Sequence, residues 1–348
     1  MTHRPARTAR NMPPRLVLLG LLASSALAYA WPDRFGSGFD PFLASKPYLW
    51  PLIAAAMFVI GWLLPRDEVR QVAHRWPAVL GGTALQYAAM PLLAFGFGLL
   101  LAPDRDALVG ILLVGCVPGA MASNVLTLLA RGHVSYSVGL TTAATLLSPL
   151  VVPLAMRLTL GQVEVAFPVG RTVAELVGYV VLPVVTGHLL SRRLASWRRL
   201  VCRVGPVVAN LAILWIIAVV VAANRGRLAH PQPAVLMALL GVNLLGYLAG
   251  DLGSRALRLP PPMRRALTLE VGMQNAGLGT TLALGLFPDR PAVAIPGALY
   301  TFGCMLTGTV LASYWGGRVA ATEGAVQSPS VPPSVAETPG TGLANRPR

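Results

Sequence analysis

Charge is what this sequence has least of: only 12% of its 348 residues are Asp, Glu, Lys or Arg, about half the ~25% of a soluble domain. With 55% apolar residues and a mean hydropathy of +0.63, an ordinary water-soluble globule is excluded. Acids are scarcest, 13 against 28 basic residues, which leaves a formal charge of +15. In a soluble protein that excess would point to nucleic acid. Phosphate-binding surfaces are dense in Lys and Arg, however, whereas long stretches here contain neither, so no nucleic-acid partner is expected and the excess reads as a topology signal. Three cysteines, Cys116, Cys202 and Cys304, have no metal-ligand spacing and are odd in number, which implies neither a disulfide framework nor a zinc site. The chain also lacks a membrane-embedded acid pair, a His/Glu metal motif and a Ser/Lys dyad, and His188 falls near the end of an apolar run, where an interfacial role is expected. No enzyme activity and no cofactor are expected.

What is present is ten apolar runs, near 16–31, 47–64, 77–101, 107–130, 134–156, 172–191, 204–223, 234–250, 264–287 and 292–315. Most have the ~17–25 residues that a helix needs to cross ~30 Å of hydrocarbon. The connections are short and polar or carry Pro and Gly, as in Pro65-Arg66-Asp67-Glu68 and Pro288-Asp289-Arg290-Pro291, so neighbouring helices run antiparallel. Residues 1–14 and 317–348 are expected to be disordered, leaving 15–316 as the folded body; the C-terminal stretch has hardly any large apolar residue to bury. Arginines before LVLLGLLASSALAYA fit a cleaved signal peptide as well as a first helix. Ten helices favour retention, because two sets of five place the second set upside down, an inverted repeat common in secondary transporters. With the N-terminus cytoplasmic, twenty of the 28 basic residues fall on that side, so both termini are expected inside. That orientation sets Arg192 to Arg203 and Arg255 to Arg265 near anionic lipid headgroups.

Two acids fall within the runs: Glu175 at a boundary and Glu270 several residues inside the ninth. An ionised carboxylate at depth costs ~2.5–3.5 kcal/mol or more, so Glu270 either faces a cavity and holds a cation or stays protonated as a structural hydrogen-bonding group. The segment EVGMQNAGLG after it has a glycine density that weakens a helix at midspan, and GCVPGAMASN in the fourth run interrupts another with Pro118. Broken helices at corresponding places in the two halves point to a binding site, since freed carbonyls attract cations and half-helix N-termini attract anions. Ser137 and Thr141, four apart, share a face that Thr145 and Ser148 continue. Each of these hydroxyls is either a ligand or bonded back to its own helix, and Gln86 is either a helix-helix hydrogen bond or a ligand. Neutral oxygens around one carboxylate suit a hard cation of low charge.

The segments ALQYAAMP, GILLVGCVPGAMASNVLTLLARGHVSYSVGLTTAATLLSPLVVP, ALTLEVGMQNAGLGTTLAL and PGALY resemble, in order and spacing over about 15–316, the bile acid:sodium symporter family, in its bacterial type. The resemblance implies an all-α polytopic membrane protein of ten transmembrane helices in two inverted five-helix repeats, with discontinuous crossing helices 4 and 9. Helices 1, 2, 6 and 7 would form a panel, and helices 3–5 and 8–10 a core. It implies two sodium sites: one from Ser123, Asn124, Ser137, Thr141 and Glu270, the other from Gln86, Glu270 and Gln274 with the Val271 and Met273 carbonyls. Asn275 and the backbone of Ala120, Met121 and Ala122 would meet the substrate. Two departures touch the substrate side. Ala120-Met121 replace a pair that often carries a hydroxyl in relatives, and Cys304-Met305 replace a polar His-Asn pair, so the bile acid of the family name is not carried over to this chain.

The function expected is sodium-coupled symport of an organic anion, bile-acid-like or a smaller carboxylate, by alternating access, in a bacterial inner membrane, with Na+, the anion and membrane lipids as partners. A proton-coupled or uncoupled exporter on the same fold is the alternative; it leaves the oxygens around Glu270 without a purpose. A passive channel is disfavoured by the pair of broken helices.

Overall fold

The computed structural model describes residues 14–36, 38–64, 76–161, 167–230 and 232–327. The expected N-terminal disorder over 1–13, most of the expected C-terminal disorder (328–348) and Arg66, Arg70 and Arg75 of the charge count lie outside the described residues.

Each apolar run becomes helix. α1 spans Pro14–Phe35, α2 Leu49–Leu63 and α3 Trp76–Leu101. The fourth run gives two short helices, α4 (Arg105–Cys116) and α5 (Ala122–Leu129), followed by α6 (Val134–Gly161). α7 runs over Val169–Arg193 with a π-helical turn at Val177–Val181, then come α8 (Arg198–Ala223) and α9 (Pro233–Ala256). The ninth run is again divided, into α10 (Pro261–Gly272) and α11 (Ala276–Leu286), and α12 (Ile295–Gln327) ends the described chain. Among the described residues, eight helices are long and apolar enough to cross a membrane, so the chain is a polytopic membrane protein. The same order of three long helices, a broken one and a long one occurs twice.

Local chemistry sets the ends. Asp104 caps α4 by accepting from the Ala107 amide at 2.8 Å, and Asn275 caps α11 by accepting from Leu278 at 3.1 Å. Prolines open α9 and α10, where a missing amide hydrogen costs nothing. α12 continues past Gly316 to Gln327.

The helices pack in two groups. α2 lies against α7 and α8, and α1 against α8, while α3, α4, α6, α9, α10 and α12 pack among themselves around the breaks. α2 and α7 approach so closely that a Cβ on Gly61 would strike the Val184 carbonyl and one on Gly187 the Phe58 carbonyl. At one end of the molecule, ion pairs tie the connections together: Arg225 to Asp40 at 2.6 Å, Arg227 to Asp104 at 3.3 Å, and Arg290 to Asp106. The other end carries Arg131, Arg192, Arg193, Arg199, Arg203, Arg258 and Arg264.

Candidate functional site

The two breaks meet at the centre of the molecule. After α4 the chain turns extended at Val117 (φ −71°, ψ 157°), and after α10 at Met273 (φ −117°, ψ 99°). Gly119 and Gln274 form an antiparallel bridge in which the Ala120 amide donates to the Met273 carbonyl at 2.8 Å and the Asn275 amide to the Pro118 carbonyl at 2.7 Å. Each break thereby satisfies backbone groups that its own helix has released, which unpaired would be costly in a membrane.

Glu270, fully buried in the last turn of α10, is the charge of this centre. Ser123 Oγ lies 2.5 Å from one carboxylate oxygen and Thr141 Oγ1 2.7 Å from the other. Each hydroxyl also faces a carbonyl, Ala120 O at 2.7 Å from Ser123 and Ser137 O at 3.1 Å from Thr141. Two hydroxyl protons thus stand before four acceptors. Ser137 accepts from Thr127 at 3.2 Å and lies beside the same carboxylate. Thr141 thus both bonds back to its own helix and reaches the Glu270 carboxylate, whereas Ser148 only bonds back, to Thr145.

Gln86, from α3, and Gln274 form the adjoining group. Gln86 Nε2 donates to Gln274 Oε1 at 3.3 Å, and Gln274 Nε2 to the Val271 carbonyl at 2.8 Å. Two acceptors, Gln86 Oε1 and Asn124 Oδ1, are buried without a hydrogen-bond partner among the described residues. Gly119 separates Glu270 from Gln86: a Cβ there would come within 2.8 Å of the Glu270 carboxyl carbon and 3.2 Å of Gln86 Nε2. Only glycine fits at this crossing. Among the described residues no three His, Cys, Asp or Glu side chains converge, so the centre is one carboxylate among neutral oxygens. Surplus acceptors and a single negative charge make a place for a low-charge cation.

The residues expected from the resemblance to meet the substrate behave differently. Ala120, Met121 and Ala122 are half-exposed, and Asn124 Nδ2 donates to Met121 Sδ at 3.6 Å. Asn275 is largely occupied in capping α11. Cys304 stands apart from them: its thiol turns back onto the Thr301 carbonyl, and its own carbonyl accepts from the Tyr247 hydroxyl.

A buried polar network not anticipated from the sequence lies behind the second break. The Gly272 carbonyl accepts from Asn243 Nδ2 at 2.7 Å and from the Tyr300 hydroxyl at 2.8 Å, and Thr307 donates to Asn243 Oδ1 at 2.7 Å. Asn243 is a lone amide inside the eighth run, the same signal that singled out Gln86, and Tyr300 ends the PGALY segment.

Comparison with known proteins bears on this centre. Residues 50–231 match the model of the Sodium Bile acid symporter family. The chain is 34% identical over 273 residues to the "Uncharacterized sodium-dependent transporter YocS" of Bacillus subtilis, covering 78% of this chain and 84% of that one. It is 30% identical over 300 residues to the "Probable sodium/metabolite cotransporter BASS1, chloroplastic" of Arabidopsis thaliana, covering 86% and 70%. The protein is therefore a membrane transporter and not an enzyme, and it belongs to the sodium bile acid symporter family.

Proposed function

We propose that the protein is a sodium-coupled symporter of a small organic anion. Its ten membrane segments form two inverted five-helix repeats, with α4–α5 and α10–α11 as the crossing fourth and ninth helices. One sodium is held by Ser123, Asn124, Ser137, Thr141 and Glu270, and a second by Gln86, Glu270, Gln274 and the Val271 and Met273 carbonyls. Those carbonyls accept from Gln274 and Ala120, which leaves each a second lone pair for the ion. The observation that carries this reading is the buried Glu270 carboxylate, set among more acceptors than there are protons to fill them.

Two sodium ions beside one carboxylate leave the midplane with one positive charge. A monoanion over the half-exposed backbone of Ala120, Met121 and Ala122, near Asn275, brings the site to neutrality, so sodium prepares the anion site. Asn275 caps α11 and offers its amide to the substrate; Cys304, on α12, is the remaining proposed contact. Occupancy of the crossing favours motion of the core helices (α3–α6, α9–α12) past the panel (α1, α2, α7, α8), which gives alternating access. The membrane is a bacterial inner membrane, with lipid headgroups around the arginine-rich end, and the charge bias supports both termini in the cytoplasm. One net charge moving inward gains ~2.3 kcal/mol per 100 mV of membrane potential, besides the sodium gradient.

The test is uptake by proteoliposomes of a panel of organic anions, with and without an inward sodium gradient and an interior-negative potential. The reading requires uptake that needs sodium and rises with the potential. Flux that ignores sodium and follows pH would replace it with a proton-coupled carrier.

A further inference from the structure

The arginine-rich end contains a cavity of about 170 Å³ where the last turns of α9, the first turns of α10 and α12 come together. Its lining brings three guanidinium groups, Arg255, Arg264 and Arg265, to a single acid, Asp251, with Thr268 and Trp315 beside them. The space is smaller than the ~300–1,000 Å³ of drug-sized ligand pockets, so it admits a small group and not a large molecule.

Partners for these side chains are only partly supplied by the protein. Arg255 Nε is bound to Asp251 at 2.8 Å, and Arg265 Nη2 donates to the Arg131 carbonyl at 2.7 Å. Arg265 Nε and the Thr268 hydroxyl are both buried and, among the described residues, have no hydrogen-bond partner. Thr268 is only 2% exposed. A threonine in a helix ordinarily returns its hydroxyl to the carbonyl four residues back, as Thr141, Thr172, Thr280, Thr301 and Thr309 do here. Thr268 does not, and it sits three residues from Arg265 on one face of α10. It also precedes Glu270 by two residues, about 200° around the helix, so the cavity and the carboxylate centre lie on opposite sides of α10.

We infer that this cavity is an anion site for a phosphate group, separate from the transport centre. Two unpaired donors and a surplus of guanidinium charge converge there. A planar carboxylate is served by one guanidinium fork. Donors arriving from several side chains suit a tetrahedral group, and Arg is the side chain that best matches phosphate oxygens. The phosphate is that of an anionic lipid headgroup or of a soluble phosphate; the chemistry of recognition is the same.

Thermal unfolding of the purified, lipid-stripped full-length protein tests this, with sodium phosphate added against sodium chloride at equal sodium and ionic strength. A ligand bound only by the folded state raises the Tm. Phosphate should raise the Tm of the wild type and leave Thr268→Val and Arg264→Gln unmoved, while Thr268→Val without phosphate unfolds at the same or a higher temperature because an unpaired hydroxyl is gone. The same protein in phosphatidylglycerol and phosphatidylcholine nanodiscs separates the sources. A higher Tm in phosphatidylglycerol that free phosphate no longer increases assigns the site to lipid; an equal phosphate shift in both discs assigns it to soluble phosphate. No response to phosphate or phosphatidylglycerol, or a response of the same size in both variants, overturns the proposal.

Discussion

The two breaks at the centre of the molecule are built from similar sequence, glycine beside polar residues, yet they end up unlike. The first, between α4 and α5, contributes no charge: Ser123 and Asn124 face inward, while Ala120, Met121 and Ala122 stay half-exposed. The second, between α10 and α11, is sealed. Its carbonyls are pinned one by one, Val271 by Gln274, Gly272 by Asn243 and Tyr300, and Met273 by the Ala120 amide. A rigid, buried break can hold an ion at fixed distances, and an open one can meet substrates of varied shape. On the proposed function, that division lets ion coupling be kept while Met121 and Cys304, the residues proposed for the substrate side, depart from the family's pattern.

Removing the charge from the sealed break should have the largest effect. Glu270→Gln keeps the shape and takes the carboxylate away, and a charge-assisted contact contributes ~1.5–3 kcal/mol, so sodium affinity measured by uptake should fall by about 10- to 100-fold. Unchanged sodium dependence would break the comparison at its strongest point. Joining the two breaks too tightly comes next. Gly119→Ala forces a Cβ between the Glu270 carboxylate and Gln86, and overpacking of this kind costs ~1–3 kcal/mol, so transport should be lost while the protein still inserts and purifies. Full activity in this variant would show that the crossing is looser than the contacts imply.

A smaller change separates the two proposed ion positions. Gln86→Leu removes an unpaired acceptor from one and leaves Ser123 and Thr141 in place, so the sodium dependence of uptake should lose its cooperativity before it loses its maximum. A uniform drop in rate with the same sigmoid would count against two sites. The smallest effect is expected behind the second break. Tyr300→Phe deletes one of two hydrogen bonds to the Gly272 carbonyl, worth ~0.5–1.5 kcal/mol, so sodium affinity should weaken about two- to tenfold with little change in substrate affinity. Weakening of substrate affinity alone would place Tyr300 on the open side.

Much of this architecture was legible in the residues. Each apolar run is a helix in the structure, and both interruptions lie where Pro118 and the Gly272–Gly279 cluster put them, because backbone hydrogen bonding in a membrane leaves few alternatives to helix. Glu270 stood out because a carboxylate at that depth needs a reason. Less legible was anything that depends on which distant helix arrives at a break. Asn243 looked like any midspan amide until α9 packed against α10, and Tyr300 looked like an apolar-run residue until its hydroxyl reached Gly272. The side chain of Cys304 turning back onto its own helix, and the continuation of α12 to Gln327, are likewise outcomes of packing and helix propagation that no local motif announces.

The central claim is that Glu270 and the oxygens around it bind sodium. Calorimetric titration of sodium into the purified full-length protein, alongside potassium and alongside the Glu270→Gln variant, tests it most directly. Saturable heat with sodium, none with potassium and a titration shifted to at least tenfold higher sodium in the variant is the expected result; equal sodium affinity in wild type and Glu270→Gln would contradict it.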